Sequence, residues 1–362
     1  MRSKQNVAGS LALPVAAMAA GPSFAALRRL IREEGLLDRQ PLYYAVRVPL
    51  TIAALIPAIA VIVLFDSLWV QIPNAAYMAL VYTQIAFVGH DCGHRQIFRK
   101  PFWNDVLALS LTPLVGVSYS WWFDTHNRHH AKPNQIGSDP AVHYDTFVFS
   151  QRQAGEKGKL MRLLIRFQAF YFVPLAMLYS VHMRFTGLRF LLKQRPKYVA
   201  VEVPLLLSHF ILYPLLVFSE LSLITGLVFI AIHQCLFGLF LVSTFAPNHK
   251  GMELLDEDHG LDFLHQQVLT AQNLQSHRFA DFWFGGLNHQ IEHHLFPNMP
   301  RNRLKKARLI IKKYCQHHGI PYHEAKAPGC YWEIVKYMHE ASAPLRGRGT
   351  RESRQPSPRG EP

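Results

Sequence analysis

Charge is scarce in this chain. Asp, Glu, Lys and Arg make up 17% of its 362 residues, whereas half of the residues are apolar. A soluble domain carries about a quarter charged residues, so the deficit argues for a membrane protein. Acid is scarcer than base, 24 residues against 38, for a formal net charge of +14. Such an excess suits nucleic acid or an anionic membrane surface. No zinc-finger spacing or RNA-binding signature accompanies it, and the long apolar runs decide for the membrane. Cysteine is sparse too: Cys92, Cys235, Cys315 and Cys330 stand alone. Without paired spacing they build neither a disulfide framework nor a thiolate metal site, and Cys92 reads as a small buried filler. The HExxH pattern of zinc proteases is missing, and there is no internal repeat.

What is present is a series of apolar runs. Residues 1–40 read as an N-terminal tail. Its first 26 residues have the outline of a signal peptide, but Pro14, Gly21 and Pro22 interrupt them, and a disordered or surface-lying tail is the plainer reading. Runs at about Leu42–Phe65 and Leu68–Val88 each approach the ~20 residues needed to cross hydrocarbon. Only Asp66 and Ser67 separate them, whereas Arg28, Arg29, Arg32, Arg39 and Arg47 lie around the first and Arg95, Arg99 and Lys100 follow the second. The positive-inside rule therefore predicts a hairpin with both ends cytoplasmic. Runs at about Tyr198–Phe218 and Leu221–Phe245, joined by Ser219 and Glu220, repeat the pattern. Between the hairpins, Val106–Val117 is short and broken by Pro113 and Gly116, which predicts a re-entrant or surface-lying piece. Trp121 and Trp122 fit an interfacial belt. Phe167–Met183 is either a crossing or an amphipathic segment, and Glu202 is expected at the interface or facing the bundle. The expected fold is all-α and integral to the membrane: about four transmembrane helices in two hairpins, with a cytoplasmic helical cap. Residues 41–325 form this domain, 326–341 a C-terminal helical segment, and 342–362 a disordered basic tail. The basic amphipathic stretch 302–318 either covers the site or rests on headgroups.

Histidine is the conspicuous excess, with 20 residues. His182, His209 and His233, lying singly in apolar runs, read as hydrogen-bonded helix residues, and His317, His318, His323 and His339 as surface. Three clusters differ. His90 and His94 are spaced i, i+4; His126, His129 and His130 are spaced i, i+3, i+4; His293 and His294 follow Gln290 by three and four residues. Each set shares one helix face. Seven imidazoles, or eight with His249, exceed the four ligands of one tetrahedral zinc and suit two metal ions of higher coordination number. Imidazole alone does not choose among zinc, copper, iron and nickel. Asp91, Asp124 and Glu292 lie beside these residues and can accept a second ring N–H.

Taken together, His90–His94 as HxxxH, His126–His130 as HxxHH and Gln290–His294 as QxxHH resemble the three histidine boxes of the membrane fatty acid desaturases. The resemblance covers roughly residues 40–325. The string from Gly285 to Pro297 is similar to that of front-end desaturases and of many bacterial acyl desaturases. The resemblance implies a di-iron centre at the cytoplasmic ends of four membrane helices, with the seven box histidines as ligands. His249 falls where the family often supplies one more. Gln290 stands in place of the leading histidine of the other third-box form, and either it or the preceding His289 faces the metal. The His-Pro-Gly-Gly motif of the haem domain fused to many front-end members is not in the sequence, so electrons are expected from a separate ferredoxin- or cytochrome-type protein and its reductase.

The implied activity is O2-dependent formation of a cis double bond in a fatty acyl chain. An alkyl C–H bond offers no acidic proton, and redox iron with oxygen supplies what side-chain acid–base chemistry cannot. The acyl carrier (CoA, a carrier protein or a lipid) is left open, and no nucleic-acid partner is expected. Rival readings are an iron hydroxylase on the same scaffold and, from another class, a zinc-dependent membrane hydrolase or a metal transporter. A transporter should place ionisable residues in mid-membrane, and most candidates here sit at helix ends.

Overall fold

The computed structural model describes residues 21–347. The signal-peptide-like stretch before Gly21 and the basic tail after Gly347 lie outside them. Part of the expected tail is helical: α1 (Phe24–Glu33) is capped by Ser23, whose Oγ accepts from the Ala26 N–H. Leu27, Leu30 and Ile31, at i, i+3 and i+4, are all buried.

The first apolar run is a rod in two pieces, α2 (Pro41–Ala53) and α3 (Leu55–Leu64). Pro57 has no N–H to offer the carbonyl four residues back, and the helix breaks there. Side chains of the next helix donate to carbonyls along this rod. From α4 (Leu68–Gly93), the Tyr77 hydroxyl donates to the Ala54 carbonyl at 2.9 Å, Asn74 to Ala58 at 3.1 Å and Gln71 to Val61 at 2.9 Å. Backbone carbonyls buried in hydrocarbon need such partners.

α5 (Pro101–Val115) and α6 (Tyr119–Ala131) meet at a bend of 113°. Gly116 makes the corner with φ 69, a conformation that suits glycine. Three short helices follow, α7 (Gln151–Glu156), α8 (Lys159–Ile165) and α9 (Gln168–Met177), the last two bent by 85°. α10 (Tyr179–Gln194) leads to the second long pair, α11 (Val199–Glu220) and α12 (Leu223–His249). The turns of the two pairs touch: the Ser222 N–H donates to Asp66 Oδ1 at 3.0 Å. Glu202 faces the bundle, fully buried, and accepts from the Ser118 hydroxyl at 2.7 Å.

Among the described residues, three stretches are long and apolar enough to cross a membrane, Pro41–Leu64, Val199–Glu220 and Leu223–His249, and the count rises to five if each bent pair is one span. α4 is absent from that set although it has 26 residues. Gln71, Asn74 and Gln84 dilute its apolar character, and all three are turned inward and buried. At ~1.5 Å per residue α4 and α12 are each about 40 Å long, longer than a ~30 Å hydrocarbon core.

Beyond α12 come α13 (Phe263–Leu269), strand β1 (Asn273–Leu274), α14 (Arg278–Trp283), α15 (Gln290–Leu295), α16 (Arg301–His317), strand β2 (Glu324–Ala325) and α17 (Ala327–Ala341). β1 pairs in parallel with β2, Asn273 opposite Glu324. The apolar face of basic α16 (Leu304, Ala307, Ile310, Ile311) packs with α1, α13 and α15 in a core of its own. That face is therefore closed to headgroups. Tyr314 ties α16 to α1, its hydroxyl donating to the Ser23 carbonyl at 3.1 Å. After α17, Ala343–Arg346 form a 3-10 turn with Ser342 and Ala343 buried, so the chain is ordered past the expected start of the tail.

Candidate metal centre

The eight histidines singled out in the sequence converge into two groups. His90, His94, His126, His130 and His293 form one, and His129, His249 and His294 the other; within each group one ring nitrogen per residue lies within 4.8 Å of the rest. Helix geometry explains why the boxes contain doublets. Neighbouring residues on a helix point about 100° apart, so a His–His pair cannot aim at one point. On α6, His126 and His130 share a face toward the first group while His129 turns to the second. On α15, His293 and His294 divide in the same way. α4 delivers His90 and His94 from its C-terminal end, and α12 delivers His249 from its last residue.

In the first group the Nε2 atoms face one another: His90 to His293 at 3.1 Å, His293 to His130 at 3.1 Å, His130 to His126 at 3.1 Å and His126 to His94 at 2.9 Å. In the second, His129 and His249 approach at 3.3 Å. Three tautomers are fixed from behind. His129 Nδ1 donates to Asp139 at 2.8 Å, His249 Nδ1 to the Thr270 carbonyl at 3.0 Å, and His294 Nδ1 to Gln267 Oε1 at 2.9 Å. Their Nε2 atoms therefore present lone pairs inward, and that of His294 is buried without a hydrogen-bond partner. Burial, followed by the neighbouring rings, holds His293 and His294 well below the usual imidazole range, so both stay neutral. Burial raises the Asp139 carboxyl, but His129 and the N–H groups of Ala141 and Asn134 outweigh it and bring it to about 2.

Lone pairs facing one another at close range need a cation between them. Ligands ~2.1 Å from an ion stand about 3.0 Å apart in an octahedral arrangement and about 3.4 Å in a tetrahedral one. The spacing in the first group fits the former, so the donor set suits ions of higher coordination number.

Gln290, and not His289, faces the cluster. Its Nε2 lies 3.0 Å from His249 Nε2, and its Oε1 accepts from Asn248 Nδ2 at 3.2 Å. It thus meets the second group with a donor rather than with an oxygen lone pair. His289 points away, with Nε2 3.6 Å from Asp281. The acids expected behind the ligands are mostly engaged elsewhere. Asp124 pairs with Arg128 at the surface, and Glu292 accepts from Asn273 and Tyr322, each at 2.7 Å. Asp91 sits 3.5 Å from His90 Nδ1 and pairs at 2.6 Å with Arg301. The residues in their place, Asp139 and Gln267, come from a turn and from α13. Asp139 could have been noticed as the Asp of an Asp-Pro step, where it caps the 3-10 helix Pro140–Val142. Gln267 carries no signal of its own.

Trp122 stacks on His126 with ring centroids 4.4 Å apart, and Gly93 is what lets it in, since a Cβ there would lie 2.2 Å from the indole. Trp122 and His90 line one end of an apolar cavity between α4, α5, α10 and α12, with Leu111, Val115, Met183 and Leu241 along its walls.

A helical bundle with candidate membrane spans, two converging histidine groups and an apolar cavity that reaches one of them has the donors to hold metal beside an apolar space. The fatty acid desaturase family model matches residues 67–326, and the chain belongs to that family. Among curated proteins it is 26% identical over 336 residues to the acyl-lipid (9-3)-desaturase of Physcomitrium patens, an alignment covering 88% of this chain and 62% of the relative. It is 28% identical to the Delta(8)-fatty-acid desaturase of Euglena gracilis (81% and 73% covered) and 29% identical to Delta(8)-fatty-acid desaturase 2 of Arabidopsis thaliana (84% and 71%). The chain thus spans under two thirds of the first relative's length and somewhat more of the other two.

Proposed function

We propose that the protein is a membrane fatty acid desaturase that introduces a double bond into a fatty acyl chain at a di-iron centre. One observation carries this reading: the apolar cavity ends on the histidine cluster, at His90 and Trp122. An acyl chain lying in it would bring a methylene group to the metal-binding end, and few other substrates match walls with so little polarity.

His90, His94, His126, His130 and His293 would hold one iron, and His129, His249 and His294 the other. Gln290, expected as a ligand, would act as a hydrogen-bond donor beside the second ion. When bound, the iron pair supplies the oxygen-activating redox chemistry that an unactivated C–H bond requires. The rest is the work of the chain. Asp139, Thr270 and Gln267 hold three rings in the ligating tautomer. Trp122 backs His126 and closes the cavity against water. The balance is two hydrogens from adjacent carbons, two electrons and two protons from outside, and O2 leaving as two waters. A separate electron-donor protein would bring the electrons.

Four crossings, α2/α3, α4, α11 and α12, with the site on the cytoplasmic side, fit the contact between the two uncharged-to-acidic turns and the arginines around the opposite ends. Expression in a host with a simple lipid profile tests the whole reading. A new unsaturated fatty acid is expected, without incorporation of label from 18O2. A hydroxylated, 18O-labelled product, or no new product from iron-loaded protein supplied with donor, would refute it.

A further inference from the structure

A second polar cluster lies on the other side of the cavity wall, around Arg184 of α10. Arg184 is 7% exposed. Its guanidinium donates to the Val115 carbonyl at 2.9 Å and to Gln234 Oε1, and lies 3.5 Å from His209 Nε2. His209 Nδ1 in turn donates to the Pro113 carbonyl at 3.1 Å, so its Nε2 is a neutral acceptor. Every partner of the guanidinium is uncharged, and no carboxylate among the described residues pairs with it. Of its five N–H groups these contacts use three, and the buried Nε is among those without a partner. A buried charge lacking a counter-charge is costly, and inside a membrane bundle it marks a site.

Arg184 lines a groove between α10 and α11 that opens sideways. His209, Tyr213 and Gln234 share its floor, and Val181, Phe185, Leu188, Phe210 and Pro214 form its walls. Val181, Phe185 and Phe210 are more than a third exposed, as lipid-facing residues of a membrane protein would be. The groove is distinct from the acyl cavity. Val115 and Met183 line the cavity, Arg184 lines the groove, and Gly116 keeps the partition thin. A Cβ on Gly116 would lie 2.3 Å from the His209 ring and 2.8 Å from Arg184 Nε.

We propose that this groove is a second lipid site, which binds the carboxylate of a long-chain fatty acid on Arg184 with its tail along the apolar walls. One cation on the floor matches one anion. The Nε–H and one terminal N–H are left over as charge-assisted donors for a carboxylate. The site requires neither the metal centre nor the desaturation reading.

Equilibrium binding of radiolabelled oleate to the purified full-length protein tests it, alongside R184Q and L188W. L188W fills the groove and leaves the arginine in place. Wild type should bind one equivalent more than R184Q, and L188W should lose the same equivalent; methyl oleate should not displace it. Equal stoichiometry in wild type and L188W, or displacement by methyl oleate as readily as by oleate, would overturn the proposal whether or not R184Q folds. One-for-one displacement by phosphatidylglycerol, which carries a phosphate instead, would overturn the choice of a carboxylate.

Discussion

Two buried clusters of polar side chains sit within this apolar bundle, and they are opposites. In the metal centre, eight imidazoles converge with ring nitrogens facing one another. Beside Arg184, His209 is matched instead, donating on one side and accepting on the other. The first cluster suits a cation and the second an anion. Burial does not separate them, since His209 and His293 are both buried. What separates His209 from the metal-facing rings is that both its nitrogens already have complementary partners.

The contrast breaks if a matched histidine proves as important to metal as an unmatched one. His293 Nε2 lies 3.1 Å from both His90 and His130. His293→Ala should therefore remove the new double bond completely and lower the iron content of the purified protein. His209→Gln should keep its iron. Iron analysis of the two variants decides, and equal losses would erase the distinction. The next effect is smaller and separates two carboxylates that look alike in the sequence. Asp139→Ala leaves His129 without the acceptor that fixes its tautomer, and affinity for iron should fall by about 10–100-fold. Asp124→Asn, which disturbs only an exposed pair with Arg128, should stay within about twofold. Competition with a chelator measures both.

Much of this was legible in the chain. The three boxes, His249 and the paired apolar runs appear in the sequence because metal ligation and membrane crossing impose periodic, local patterns. The orienting groups did not appear, because a hydrogen bond from behind a ligand can come from any segment that folds back. Asp139 arrives from a turn and Gln267 from α13, while the acids adjacent in sequence, Asp124 and Glu292, point elsewhere. The stacking of Trp122 on His126 was not legible, because it depends on the bend of 113° at Gly116. The run at Leu68–Val88 was legible, but the task of its polar side chains was not, since composition cannot show that Gln71 and Asn74 are spent on the carbonyls of α3.

The mildest prediction concerns a polar group whose partners are complete, the condition neither cluster meets. Asp281 anchors the turn before the third box, accepting from the Ser276 hydroxyl at 2.8 Å, Asn288 Nδ2 at 2.9 Å and Lys305 Nζ at 2.8 Å. Burial raises its pKa, but His289, Lys305, Asn288 and Ser276 outweigh this and hold the carboxyl well below its ordinary range. A carboxyl depressed by folding contributes stability that is present above its unfolded pKa of about 3.9 and is lost as pH falls toward the folded value. The Lys305 arm is exposed and adds little, so His289, Asn288 and Ser276 carry most of the effect. Asp281→Asn should therefore cost about 1–2 kcal/mol at pH 7. The deficit should narrow as the pH drops below about 4, because the unfolded wild type then binds a proton that the folded carboxylate does not. Thermal unfolding of the solubilised protein at the two pH values measures it. An equal deficit at both would mean that Asp281 acts through shape alone, and that its completed shell of donors does not set it apart from the two unbalanced clusters.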